Sequence, residues 1–432
     1  MSSSATTMQT MSQSARYWVL VSAFLAWFFA GVQMSIMPLV SRSVTTDLIG
    51  TFSEGQEKKT APQTVVNHWF SIYSASFLFG AAVGGLLFGW MGDTLGRAKA
   101  LGLSVCCYSL FTGLASFAPS PELFTLFRFL GCLGVGGTWP NAIALATEVW
   151  ADTSRPLLSG VIGSAANFGL LGFGLLAAVF HVTPDSWKWV MWLGSTPALL
   201  GAAILVVNAE SPKWLASRQE GNELQKPTTP VREVFRPPLL YVTLLGILLA
   251  TIPLFGGWGC TSWLVPWADK VGATIDEGLK AKTQVARTLG ATVSSLLGGL
   301  IAAKLGRRFS YFLISLGSFL VGQYIFQCLT PNDSSFHFWV FCFGTISGFY
   351  FGWMPLCLPE LFPTRVRTTG AGSTFNTGRI ATGLGVLGTG YISNLAIVNG
   401  DFSKIGAVTS CIFAVGMVVI WLMPKDARQD LT

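Results

Sequence analysis

A tight, charged turn that occurs twice constrains this chain more than any other feature. Its first copy, Gly89-Trp-Met-Gly-Asp-Thr-Leu-Gly-Arg-Ala-Lys99, joins two long apolar segments. The second copy, 210 residues on, is Gly299-Leu-Ile-Ala-Ala-Lys-Leu-Gly-Arg-Arg308, so Gly89, Gly96 and Arg97 fall on Gly299, Gly306 and Arg307. Arg155 and Gly160 fall on Arg365 and Gly370 at the same offset. Five matches at one spacing imply a duplicated architecture, two related halves in one chain.

Composition says where those halves sit. Of 432 residues, 51% are hydrophobic and only 11% charged, whereas charged residues approach a quarter of an ordinary soluble domain. The 48 glycines and 16 tryptophans suit membrane helices, which use glycine for close packing and tryptophan at the lipid boundary. The net charge of +7 comes from basic residues scattered between apolar runs, with no basic helix or aromatic-interleaved patch. It is topological, and a nucleic-acid partner is not expected. The eight cysteines all fall in apolar segments without metal-ligand spacing, so reduced, packed thiols are expected, with no metal or other cofactor.

Twelve segments supply the roughly 20 apolar residues that a bilayer-crossing helix needs: 17–40, 67–91, 99–118, 121–147, 156–180, 187–208, 239–268, 279–303, 309–329, 336–358, 367–397 and 404–424. The expected organisation is a disordered tail 1–16, a first six-helix bundle 17–208, a Pro-rich linker 209–238, a second bundle 239–424 and a tail 425–432. The fold class is thus an all-α membrane protein of twelve spanning helices in two pseudo-symmetric halves. With both termini in the cytoplasm, 16 Lys and Arg fall on the inner face, eight on the outer face, and Arg128, Arg287 and Arg379 within spans. That bias favours the orientation and a cytoplasmic (inner) membrane location.

The turn at Gly89–Lys99 resembles the loop between helices 2 and 3 of the major facilitator superfamily, whose pattern is Gly-x-x-x-Asp-Arg-x-Gly-Arg-Arg. Gly89, Asp93, Gly96 and Arg97 match, while Thr94 and Ala98 depart from it; the second copy has Ala303 in place of the acid. Arg128-Phe-Leu-Gly-Cys-Leu-Gly-Val-Gly-Gly137 resembles the fourth-helix motif of that superfamily. Glu210-Ser-Pro-Lys-Trp-Leu215 and Pro359-Glu-Leu-Phe-Pro-Thr-Arg-Val-Arg-Thr-Thr-Gly370 are similar to segments of its sugar-porter and organic-ion branches. Trp139-Pro-Asn-Ala142 and Gly372–Ile380 are similar to the aromatic-acid and organic-anion carriers. The likeness covers residues 17–424. One departure concerns helix 1, where bacterial acid symporters of this kind carry aspartates and this chain reads Ala26-Trp-Phe-Phe-Ala-Gly-Val-Gln-Met34.

A gate is expected at the cytosolic turns. Asp93 would face a second-half helix, and Arg97 would meet a carboxylate such as Glu148. Gly96, Arg155, Arg307, Glu360 and Arg365 repeat or extend that set. Contacts that hold in one state and break in the other are what alternating access requires. Arg379 lies near the middle of its span, one helical turn from Asn376, with no acid at comparable depth. An arginine there normally faces a cavity or a partner, so the missing counter-charge is assigned to the cargo, a carboxylate held by the guanidinium. The resemblance adds that organic-anion carriers use an arginine at the matching position.

Gln33, Asn141 and Asn167, with Trp27, Tyr73, Trp258, Trp263, Tyr350 and Trp353, complete a candidate cavity. Arg128 serves either helix bonding or coupling, and Arg287 an entrance. The sequence thus reads as a transporter, not an enzyme, moving a small organic solute, an anion in preference to a neutral molecule, as a monomer in the lipid bilayer. Proton coupling through Asp93, Glu148 or His68 and simple uniport stay open. The alternatives are a neutral sugar or polyol carrier and a non-transporting receptor.

Overall fold

A computed structural model describes residues 11–52, 59–150, 155–219, 230–272, 275–363, 366–393, 395 and 398–424. Twelve long helices carry the fold. Six form the first half: α1 (Gln13–Ile49), α2 (Gln63–Thr94), α3 (Arg97–Ala115), α4 (Pro121–Val149), α5 (Arg155–Val179) and α6 (Lys188–Val207). The second half repeats them as α7 (Leu240–Gly272), α8 (Leu279–Leu305), α9 (Arg307–Cys328), α10 (Phe336–Glu360), α11 (Arg367–Ser393) and α12 (Phe402–Leu422). Ten of the twelve are long and apolar enough to cross a bilayer by length and composition alone. The other two are α8 and α11, the helices that hold Arg287 and Arg379.

Small residues set how closely the helices cross. A methyl group on Gly84 of α2 would fall 1.9 Å from the Leu133 carbonyl oxygen of α4, and one on Gly136 of α4 would fall 2.1 Å from that of Ala81. The second half repeats the device between α8 and α10, where a methyl on Gly344 would lie 2.2 Å from the Arg287 carbonyl oxygen. In lipid, where helix association rests on close packing rather than on hydrophobic exclusion, this backbone-to-backbone approach holds each half together. The lateral surface is apolar, with Leu86, Trp90 and Val206 all more than 60% exposed.

The duplicated turn is a duplicated backbone. Gly96 and Gly306 both adopt positive φ, 115° and 85°, and each immediately precedes a helix. Glycine is the residue that takes this conformation without steric cost, which accounts for its return at the same offset.

Several boundaries differ from the sequence expectation. α1 runs to Ile49 rather than residue 40, because Ser41, Ser43, Thr45 and Thr46 are buried against neighbouring helices. Hydropathy takes those polar residues for loop. The outer connection then shrinks, and its described ends, β1 (Thr51–Phe52) and β2 (Lys59–Thr60), pair antiparallel. α7 is not regular: a π-turn at Gly256–Cys260 and a 3-10 turn at Thr261–Trp263 interrupt it. Its interior Pro253 and glycine pair supply the cause. Between the halves, Pro212–Gln219 and Pro230–Val234 are short helices.

Candidate functional site

The first span begins and the last span ends on one face of the bundle, called here the terminal face, because the number of spans is even. The two faces treat their charges differently. On the face opposite the termini, ion pairs cross from one half to the other. Asp269, near the end of α7, takes Lys280 of α8 at 3.0 Å and Arg42 of α1 at 3.7 Å. Lys280, 5% exposed, also donates to the Val182 carbonyl of the first half at 2.7 Å. His181 lies 3.5 Å from Glu277 across the same seam.

Deeper in, the seam is polar on one side and aromatic on the other. Gln284 of α8 donates to Ser35 of α1 at 2.9 Å, and Arg287 donates to Gln284 at 2.9 Å. Asn167 of α5 donates to Ser295 of α8 at 2.8 Å. Phe77 of α2 stacks tilted on Trp258 of α7 with centroids 4.4 Å apart, and Phe70 meets Trp263 edge-on at 4.7 Å. Both tryptophans lie in the irregular stretch of α7.

Arg379 occupies the α2–α11 seam. Its Nη1 donates to the Ala81 carbonyl of α2 at 3.3 Å and to Asn376 Oδ1 at 3.4 Å, and the guanidinium lies 4.7 Å over the Phe375 ring. None of the ion pairs found among the described residues includes it. The expected neighbourhood with Asn376 is present, and the group faces the other half.

Other expected cavity residues are committed elsewhere. Gln33 is 1% exposed and belongs to a buried knot with Arg128. Arg128 Nη1 donates to Gln33 Oε1 at 3.1 Å and to Thr112 at 3.3 Å, Nη2 to the Gln33 carbonyl at 3.1 Å, and Gln33 passes its own amide to Gly194 at 2.8 Å. This knot ties α1, α3, α4 and α6 together with neutral acceptors. Asn141 is spent on the Phe88 and Gly137 carbonyls, both at 2.9 Å.

The aromatic expectations need similar correction. Tyr73, Trp263, Tyr350 and Trp353 are at most 1% exposed, and three of them pack inside their own half. Tyr73 sits on Phe124; Tyr350 bonds Ser315 at 2.6 Å; Trp353 donates to the Arg307 carbonyl at 2.9 Å. Trp27 packs on Trp139 at 5.0 Å, also within the first half. Aromatic content marks cavity and core alike, so sequence alone does not separate them.

On the terminal face the ion pairs found among the described residues lie within single halves. Asp93 takes Arg97 at 2.5 Å, four residues on, rather than a helix of the second half. Arg97 Nε lies 3.8 Å from Glu148 at the end of α4, and Ser211 closes a short hydrogen bond to Glu148. Glu210 accepts the Ala98 amide at 3.0 Å, a carboxylate cap on α3, and Trp214 donates to the Asp93 carbonyl at 2.8 Å. In the second half Arg307 and Glu360 form a two-pronged pair at 2.8 and 2.9 Å. Arg365 lies outside the described residues, as does the side chain of Arg155.

With this geometry in place, the comparisons are decisive about family. The model of the Major Facilitator Superfamily matches residues 19–386. The chain belongs to that superfamily. It is 27% identical to the inner membrane metabolite transport protein YhjE of Escherichia coli over 374 residues, covering 81% of this chain and 82% of the relative. It is 25% identical to the cis,cis-muconate transport protein of Acinetobacter baylyi over 362 residues, covering 82% and 84%. In fold it resembles the xylose transporter XylE from E. coli in a partially occluded inward-open conformation, with a TM-score of 0.73, 17% identity and coverage of 95% and 98%. This superfamily member is therefore a multi-pass membrane transporter and not an enzyme.

The structure also adds residues that sequence reasoning left unassigned: Asp269 and Lys280 at the far seam, Gln284 beneath them, and Glu210 at the α3 cap. Glu210 had a signal, since it opens the motif Glu210–Leu215 that is similar to a segment of the sugar-porter and organic-ion branches. Asp269 had none, because its two partners come from helices 1 and 8.

Proposed function

We propose that this protein carries a small organic anion, a carboxylate, across the membrane by alternating access, with both termini in the cytoplasm. One observation carries the anion reading. Arg379 sits in the seam between the halves with carbonyl and amide oxygens as its partners, and among the described residues no carboxylate pairs with it. A guanidinium so placed costs roughly 2.5–3.5 kcal/mol or more near a span's centre, and an arriving carboxylate offsets that by a bidentate, charge-assisted pair. The muconate carrier among its relatives moves a molecule of this class. The two-to-one excess of Lys and Arg on the terminal face supports the orientation.

In that orientation the charged seam that joins the halves is the outer gate, and the protein faces inward. Residues 17–208 and 239–424 move as two bodies about Arg379. The clusters around Asp93, Gly96, Arg97, Glu148 and Arg155, and around Arg307, Glu360 and Arg365, form the inner gate of the opposite state. The cation knot at Arg128 holds the first body rigid.

Uptake into proteoliposomes tests the reading. Wild-type protein accumulates a radiolabelled benzoate probe, and Arg379→Gln lowers that rate at least tenfold while Arg379→Lys retains part of it. A neutral sugar carrier is the competing reading, favoured by the hydrogen bonds that Arg379 already makes to Ala81 and Asn376. Sugar uptake that survives Arg379→Gln, with no benzoate uptake in the wild type, decides for it. The same vesicles with and without a pH gradient report whether protons are coupled.

A further inference from the structure

The far face also holds a cavity that takes no part in the seam's ion pairs. It measures about 410 Å³ and lies between the last turn of α7 and the loop that enters α12. Two buried aromatic residues line it, Trp267 at 8% exposed and Phe402 at 1%. Two exposed lysines line it as well, Lys270 from the end of α7 and Lys404 from the first turn of α12.

The polar part of this lining consists of donors that the protein leaves unused. None of the ion pairs found among the described residues includes Lys270, whose amine stands 5.8 Å over the Phe402 ring. The Trp267 indole N–H and the Asn399 carboxamide enter none of the hydrogen bonds found among the described residues. The Trp267 nitrogen is also not sealed from solvent, as that of Trp263 is. Polar groups on largely buried side chains are normally paired, so a donor that lines a cavity without an acceptor is one that a ligand can use. Asn399 is held there by a left-handed backbone, φ 46°, taken by no other non-glycine residue among those described, and such backbone collects at ligand sites. The acid in the lining, Asp401, is committed elsewhere: its Oδ1 accepts the Ser403 amide and hydroxyl, both at 2.9 Å. Two ammonium groups and two neutral donors around one concavity, with the acid engaged as a helix cap, favour a negative occupant.

We propose that this cavity is an anion-binding site on the far face, distinct from Arg379, for a single carboxylate or phosphate group. Lys270 and Lys404 supply the charge, the Trp267 N–H and the Asn399 amide the directed hydrogen bonds. The aromatic faces accept the apolar remainder of the ligand. Two sources carry such a group to this face: a soluble organic acid and the headgroup of an anionic lipid. The site does not depend on the cargo being an anion. Its place matters to the gate nonetheless, because Lys270 directly follows Asp269, the acid that ties Arg42 of α1 to Lys280 of α8.

Residue-resolved amine labelling of the full-length protein tests it, by brief acetylation in nanodiscs and peptide mass spectrometry. The soluble probes are benzoate and neutral benzamide; the membranes are phosphatidylcholine alone or with phosphatidylglycerol. In phosphatidylcholine, benzoate slows acetylation of Lys270 and Lys404 at least fivefold and leaves Lys188 of the same face unchanged, while benzamide slows none of them. Lys404→Gln, an exposed substitution, cuts the protection of Lys270 to within twofold. Arg379→Gln leaves the protection intact, which separates this site from the one between the halves. Protection by phosphatidylglycerol without benzoate assigns the site to a lipid headgroup, and protection by benzoate in phosphatidylcholine assigns it to a soluble acid. Lysines protected by neither anion, or equally by benzamide, overturn the site. So does protection of Lys270 that survives Lys404→Gln or that disappears in Arg379→Gln. None of these outcomes bears on whether Arg379 binds the cargo, which the uptake assay decides.

Discussion

The two faces of the bundle use their charges in opposite ways. At the far face, Asp269 joins Arg42 of one half to Lys280 of the other, and His181 of the first half meets Glu277 of the second. At the terminal face, Asp93, Arg97 and Glu148 pair among themselves, and Arg307 pairs with Glu360. Two bodies that rock must have one seam tied and the other released. Among the described residues, the far seam is tied across the halves, and the ion pairs found in the terminal clusters lie within single halves. The same carboxylate types stabilise an interface in one place and a subunit of the motion in the other.

The largest test breaks the far seam at its pivot. Asp269→Asn leaves Lys280 and Arg42 facing one another with their shared counter-charge gone. Removing one member of a buried charge cluster costs about 3–5 kcal/mol. Lys280 keeps its bond to the Val182 carbonyl, so the lower end, about 3 kcal/mol, is expected, a shift of on the order of a hundredfold in the balance of the two states. Spin labels on α1 and α7 near the far face report it as a lengthened distance distribution. An unchanged distribution in folded protein means that Asp269 does not hold the gate.

How much of this was written in the sequence depends on whether the signal was local. The twelve spans and the two halves were legible because apolar length and the Gly96/Gly306 repeat are local patterns with one structural solution each. The contact between Arg379 and Asn376 was legible for the same reason, since the two stand one helical turn apart on one helix. Gln33 and Asn141 were misplaced because a polar residue at mid-depth has two outlets, a cavity or a buried hydrogen bond, and the outlet is chosen by a helix far away in sequence: Gln33 is taken by Arg128, 95 residues on. Asp269 was invisible for that reason too. Its partners lie on α1 and α8, and only the assembled seam brings them to one carboxylate.

A smaller effect sharpens the contrast from the terminal side. Glu210 caps α3 through the Ala98 amide, and its carboxylate also fills the space beside Gly96, where a methyl would lie 2.2 Å from Glu210 Oε2. Glu210→Gln keeps the shape and removes the charge at a helix N-terminus, worth about 0.3–1 kcal/mol. The expected result is a slightly lower melting temperature with no change in the distance between the halves. A shift in that distance of the size seen for Asp269→Asn contradicts the assignment of the terminal clusters to single halves.

The smallest prediction separates two neighbouring acids in the loop before α8. Asp276 pairs with Lys282 at 2.6 Å inside its own half, whereas Glu277 reaches across to His181. The hydrogen bond from Lys282, with a second from the Gly278 amide, holds the Asp276 carboxyl below its usual value of 3.8. The folded protein therefore binds this proton less readily than the unfolded chain does. The stabilisation is complete above the ordinary carboxylate range and disappears as pH falls through the lowered folded value. Because both side chains are substantially exposed, at 60% and 39%, solvent screens the pair to within about 1 kcal/mol. Asp276→Asn should then narrow the gap in melting temperature to wild type as pH is lowered from neutrality toward 3, and salt should narrow it at neutral pH. The inter-half distance stays fixed throughout in Asp276→Asn and lengthens in Glu277→Gln, since only the second acid spans the seam. Equal behaviour of the two variants would remove the distinction between charges that build a half and charges that join the halves.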